Sequence, residues 1–126
     1  MKNTKFYICE KCGNTVEIIH ASGVPLVCCG QKMTEIKPGT TEASLEKHIP
    51  VVEYSGNTVK VTVGSVLHPM TEEHSIEWVY LETDKGGQRK TFAAGDAPEV
   101  TFAIADERPI AVYAYCNLHG LWKSEI

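Results

Sequence analysis

Nine residues of metal-binding type stand out in this chain of 126: all five cysteines and four of the five histidines. Cys9-Glu10-Lys11-Cys12 is a C-x-x-C pair, a spacing at which two thiolates curl around one ion while nearby backbone N–H groups point at the sulfurs. Cys28 and Cys29 are adjacent. Neighbouring Cα atoms lie ~3.8 Å apart, and on a flat strand their side chains point to opposite faces. Sharing one ion between them therefore requires a sharply bent backbone, and Gly30 supplies the freedom for it. Four sulfurs imply zinc or iron. A zinc knuckle with a purely structural role satisfies the same four residues, and a Cys9–Cys12 disulfide is the weaker reading.

The second group is dispersed. His48 lies between Glu46-Lys47 and Ile49-Pro50, in a loop entering a strand. His68-Pro69-Met70 ends a strand, because proline stops regular pairing. His74 follows in a polar loop, and Cys116-Asn117-Leu118-His119-Gly120 is a C-x-x-H turn backed by glycine. Any one of these histidines alone reads as a loop residue. Together, at strand ends and with the one remaining cysteine, they read as a site for iron, copper or zinc. Blue copper wants two histidines, so four are too many for it. His20, beside Ala21-Ser22-Gly23, reads as a surface residue.

The elements that must position these residues fall into two regions. Residues 1–36 offer brief strands at Phe6-Tyr7-Ile8 and Thr15 to Ile19, with a second short pair flanking Cys28-Cys29-Gly30-Gln31. So short a region cannot bury enough apolar surface to fold unaided, and a metal staple supplies what is missing. Residues 37–41, Lys37-Pro38-Gly39-Thr40-Thr41, read as a linker. From residue 42 to 126 the chain runs strand after strand: Val51 to Tyr54, Thr58 to Val63, Ile76 to Thr83, Arg89 to Phe92, Glu99 to Ala105, Ile110 to Cys116, and a short piece at Trp122. That spacing predicts an antiparallel β-sandwich, and no stretch carries a helical period.

A net charge of −4 and a pI near 5.7 argue against a general nucleic-acid binder. No apolar run is long enough to cross a membrane and no secretory signal pattern is visible, so the expected location is the cytoplasm. Cysteines in such a compartment favour metal ligation over disulfides.

The two motif sets together resemble desulfoferrodoxin, the two-iron form of superoxide reductase. Cys9, Cys12, Cys28 and Cys29 are similar to the desulforedoxin-like N-terminal part of that family. Glu46-Lys47-His48-Ile49-Pro50, His68-Pro69-Met70 with His74, and Cys116-Asn117-Leu118-His119-Gly120-Leu121-Trp122 are similar to its neelaredoxin-like part. The resemblance implies two irons per chain: a distorted Fe(Cys)₄ centre, and a square-pyramidal centre with His48, His68, His74 and His119 in plane and Cys116 axial. It implies an immunoglobulin-like sandwich and a homodimer. The implied activity is one-electron reduction of superoxide to hydrogen peroxide, with electrons from a rubredoxin-like donor. Lys47 would steer the anion, and Glu46 would take the sixth position of the oxidised iron. A superoxide dismutase, a pure electron carrier and a zinc-stapled interaction module are the competing readings.

Overall fold

A computed structural model describes residues 4–41 and 43–126 of the chain. The first three residues of the expected N-terminal domain, and Glu42, the expected first residue of the second, lie outside the described residues. The chain divides into two compact units, Met1–Lys37 and Pro38–Ile126.

In the first unit, β1 (Phe6–Ile8) and β2 (Thr15–Glu17) are joined through the turn at Cys12-Gly13-Asn14. β3 (Val27–Cys28) and β4 (Gln31–Lys32) form a separate hairpin, and β5 (Thr34–Ile36) returns to the free edge of β1. All these pairings are antiparallel. Among the described residues of this unit only Phe6 and Cys9 are buried apolar side chains. That is far too little for a self-sufficient core, which is why the unit depends on what its cysteines bind.

The second unit opens with a single helical turn, α1 (Leu45–His48), followed by seven strands. These are β6 (Pro50–Ser55), β7 (Thr58–Val63), β8 (Ile76–Thr83), β9 (Gly86–Thr91), β10 (Glu99–Ala103), β11 (Pro109–Cys116) and β12 (Gly120–Glu125). They form two antiparallel sheets, ordered β10-β7-β6 and β12-β11-β8-β9. Period-two alternation turns Val59, Val61 and Val63 of β7 inward. They meet Phe102 and, from the other sheet, Ile76, Val79, Leu81, Val112, Ala114 and Cys116. This is the immunoglobulin-like sandwich, and Cys116 sits at the end of its core because it shares a strand face with Val112 and Ala114.

Side chains seal the sandwich edges. Lys90 Nζ and Gln88 Nε2 on β9 donate to the carbonyls of Thr101 and Ala103 on β10, each at 2.7 Å. The unpaired edge of one sheet is thereby capped by the other.

Three elements differ from the sequence reading. α1 has no counterpart in the hydrophobic pattern, since one turn is too short to show a period. β9 starts at Gly86, so the turn after β8 consists of Asp84 and Lys85 alone. β12 is a full strand of six residues that pairs with β11 along most of its length.

Candidate metal centres

In the first unit, β1 delivers Cys9 into a turn closed by Cys9 N–H to Asn14 O and Gly13 N–H to Cys9 O, both 2.8 Å. The vicinal pair is accommodated as the sequence requires, by a bend, but the bend begins at the cysteine itself. Cys29 has φ +53° and Gly30 φ +75°, two left-handed residues making the tight hairpin turn between β3 and β4. A non-glycine residue in that region costs about 1 kcal/mol. The gain is that the Cys28 and Cys29 sulfurs come to the same side, 4.0 Å apart, with Cys12 Sγ 3.6 Å from Cys28 Sγ.

All four sulfurs lie within 4.8 Å of one another, and none is in a disulfide. Metal–sulfur bonds of ~2.3 Å in a tetrahedron put sulfurs about 3.8 Å apart, so this donor set fits one ion. The backbone N–H of Cys12 draws Cys9 down to about 6, while the Cys12 and Cys9 side chains hold the proton on Cys29, pushing it up to about 12. Four thiolates cannot share this volume unless a cation offsets their repulsion. Asn14, absent from the sequence reading, donates its backbone N–H to Cys12 Sγ at 3.5 Å and its Nδ2 to Cys28 Sγ at 3.6 Å. Its position two residues past a C-x-x-C pair was the available signal.

The second unit gathers the other five side chains from three segments. His48 comes from the end of α1, His68 and His74 from the long β7–β8 connection, and Cys116 and His119 from the β11–β12 turn. The four imidazoles form a closed square. Ring centroids are 4.6 Å apart for His48–His68 and His68–His74, 5.0 Å for His74–His119 and 4.9 Å for His119–His48. Successive planes cross at 77° to 87°, and the diagonal His48–His74 measures 6.3 Å. His48 Nε2 lies 3.1 Å from His68 Nε2 and 3.2 Å from His119 Nδ1. Adjacent nitrogens on one ion, at bonds of ~2.1 Å, stand about 3.0 Å apart. Cys116 Sγ completes the set within 4.8 Å of the ligand atoms of His48, His68 and His74, and 3.9 Å from His119 Nδ1.

The outer ring nitrogens fix which atoms face inward. His48 Nδ1–H donates to Ser44 O at 2.7 Å and His68 Nδ1–H to Pro69 O at 2.6 Å. Each Nε2 is then a lone-pair acceptor aimed at another acceptor. A cation at the centre would satisfy both lone pairs at once. Burial lowers the pKa of His48, His68 and His74, that of His68 to about 4, so the imidazoles are neutral and ready to ligate. The Cys116 thiol is fully buried, and burial raises its pKa, while the backbone N–H groups of Leu118 and His119 oppose that rise.

Glu46 and Lys47 are exposed on α1, immediately before His48. Their loop is anchored: Val66 N–H and Ser65 Oγ donate to Glu46 O at 2.9 and 3.3 Å. The Lys47 ammonium lies close enough to lower the pKa of His48 and His74. His20 is exposed and apart from both clusters.

The chain thus carries two donor sets, a square of imidazoles with a buried thiol in one unit and a four-sulfur cluster in the other. Family profiles match both halves: "Desulfoferrodoxin, N-terminal domain" over residues 2–36 and "Desulfoferrodoxin" over residues 40–125. The chain belongs to the desulfoferrodoxin family. It is 50% identical over 121 residues to the desulfoferrodoxin of Nitratidesulfovibrio vulgaris, covering 96% of this chain and 95% of that protein. The crystal structure of the superoxide reductase from Treponema pallidum superposes with a TM-score of 0.83 at 42% identity, covering 98% of this chain and all of that one. The one-iron superoxide reductase of Giardia intestinalis matches 64% of this chain and 97% of its own, at 32% identity and a TM-score of 0.56. The two donor sets match the two iron centres of a desulfoferrodoxin, Fe(Cys)₄ and Fe(His)₄(Cys).

Proposed function

We propose that this desulfoferrodoxin is a superoxide reductase: one superoxide, one electron and two protons give one hydrogen peroxide, with no dioxygen released. The imidazole square closed by a thiol carries the reading. Iron held there would supply the one-electron chemistry. His48, His68, His74 and His119 with Cys116 would hold it, and the neutrality of the imidazoles would leave its positive charge uncancelled except by the Cys116 thiolate. A small anion would therefore be attracted to the site. Lys47 adds to that attraction in a chain of net charge −4, which raises the on-rate and makes it fall with salt.

Cys116 would donate electron density to the metal, and the amides of Leu118 and His119, which face its sulfur, would temper that donation. Glu46, on the turn that carries His48, is the carboxylate that would complete the ligation of the oxidised iron. Its own backbone N–H lowers its pKa, so it is an anion at neutral pH. Cys9, Cys12, Cys28 and Cys29 hold the other iron, in a domain of residues 1–36 joined through 37–41 to the reductase domain of 42–126.

The electron reaches the site from a rubredoxin-like donor. Cysteines grouped as metal ligands fit a cytoplasmic setting, and among the described residues no helix is long and apolar enough to cross a membrane. A second copy of the chain completes a homodimer, for which the exposed Ile19, Val24 and Val27 of the first unit offer apolar surface.

Anaerobic titration of the two-iron protein with superoxide, in the presence of reduced rubredoxin, tests the activity. One peroxide formed and one donor oxidised per superoxide is expected. One peroxide per two superoxides, with no donor consumed, would establish a dismutase instead.

A further inference from the structure

The turn carrying Cys116 and His119 and the loop carrying His74 are separate stretches of chain, and one side chain joins them. Asn117 Oδ1 accepts the backbone N–H of Ser75 at 3.0 Å, and its Nδ2 donates to the carbonyl of Glu73 at 3.0 Å. The backbone N–H of Asn117 adds a third bond, to Ser75 O at 3.2 Å. The carboxamide thus grips the residues on both sides of His74. Its orientation is dictated by its partners, because a flipped amide would set donor against donor and acceptor against acceptor.

His74 needs such a grip more than its neighbours. His48 and His68 are steered by carbonyls at Nδ1. Among the described hydrogen bonds the His74 ring has none. Its place in the square is therefore inherited from the backbone of its loop. The bonds between Thr71 and His74, at 2.9 to 3.2 Å, shape that loop internally but do not tie it to Cys116. The β8–β11 ladder reaches only to Ile76 opposite Cys116, and Asn117 extends the connection past it to Glu73.

We propose that Asn117 is the positioning residue for His74, holding that imidazole in register with the Cys116 thiolate so that the two ligands approach one iron together. The proposal rests on reading the imidazole square as an iron site. Removing the grip leaves every ligand in the sequence but lets one corner of the square drift.

The test uses the holoprotein in three variants: Asn117→Ala, which loses both side-chain bonds; Asn117→Asp, which keeps an acceptor for Ser75 N–H but turns an oxygen toward the Glu73 carbonyl; and Val112→Ala, a core truncation away from the ligands. Ferrous affinity of the second site is read by competition with a chelator, and the thiolate-to-iron charge-transfer band of the oxidised site is recorded, with the first centre's absorption as internal control. Asn117→Ala should weaken iron binding about 10- to 100-fold and shift the second-site band while the first is unmoved. Asn117→Asp should fall between Asn117→Ala and wild type, and carries the comparison alone if the alanine variant does not fold. An affinity and band like those of wild type in Asn117→Ala, or equal weakening in Val112→Ala, would overturn the proposal. If wild type itself takes up no second iron, the reading of the square falls, and the proposal with it.

Discussion

Cys116 has two demands that oppose each other. It lies at the end of the sandwich core, on the strand face of Val112 and Ala114, where burial raises its pKa, yet a metal would take it as a thiolate. Metal binding resolves the conflict, because the cation replaces the proton. Cys116→Ser should therefore abolish superoxide reduction and the thiolate charge-transfer absorption of the second site while sparing that of the first, as absorption spectra of the two-iron protein will show. Glu46→Ala should leave the rate of superoxide reduction close to wild type but change the resting ferric spectrum; an unaltered spectrum would remove Glu46 as sixth ligand. A third expectation follows from the imidazoles. His68 takes up its proton near 6.5 when unfolded and near 4 when folded. Unfolding is then coupled to proton uptake between those values, so the iron-free protein should lose thermal stability as pH falls from 6.5 to 4, with no further loss from this group below 4. Melting curves of iron-free protein across that interval check the sign.

At the scale of elements, irregularities place the ligands. The β8–β11 register slips between Tyr115 and Cys116, so Tyr115 faces Trp78 while Cys116 faces Ile76. Glu77 is passed over and left exposed. Without that bulge a carboxylate would stand opposite the thiolate on the core face; with it, Ile76 takes the position. Gly64 does similar work for the loop of Glu46 and Lys47. It has φ +89°, and a Cβ there would lie 2.8 Å from the carbonyl oxygens of Glu46 and Lys47 and collide with that of Val66. Gly64→Ala should destabilise the protein by about 1–3 kcal/mol and weaken second-site iron binding, measured by denaturant unfolding and chelator competition. The strands of the sandwich were legible from alternation and turn residues. α1, the bulge and β5 were not, since a single turn and a one-residue slip leave no period to read and Thr34-Glu35-Ile36 offers one apolar residue after two polar ones.

At the scale of the molecule, the two units differ in what makes them fold. The second has a core drawn from both sheets, and the first has Phe6, Cys9 and a ring of sulfurs. Cys12→Ser, or removal of the first iron, should therefore loosen residues of the first unit and leave the second folded. Limited proteolysis should then cut within the Cys9–Cys29 region while activity with a chemical reductant persists. Equal protection of that region with and without iron would show that the apolar contacts suffice.

The sequence by itself determined the candidate chemistry: which side chains are of ligand type, that they divide into two sets, and that alternating strands build a sandwich, because residue type and short spacing are local properties. The tertiary structure alone decided how His48, His68, His74 and His119 close into a square, which ring nitrogens face inward, and which side chains hold them there. Those depend on contacts between residues such as Asn117 and Glu73, 44 positions apart, and no local pattern encodes a hydrogen bond across such a distance. Nor did it encode the left-handed turn at Cys29, which brings two neighbouring sulfurs to one side. Adjacency demanded a bend; the folded hairpin chose where to put it.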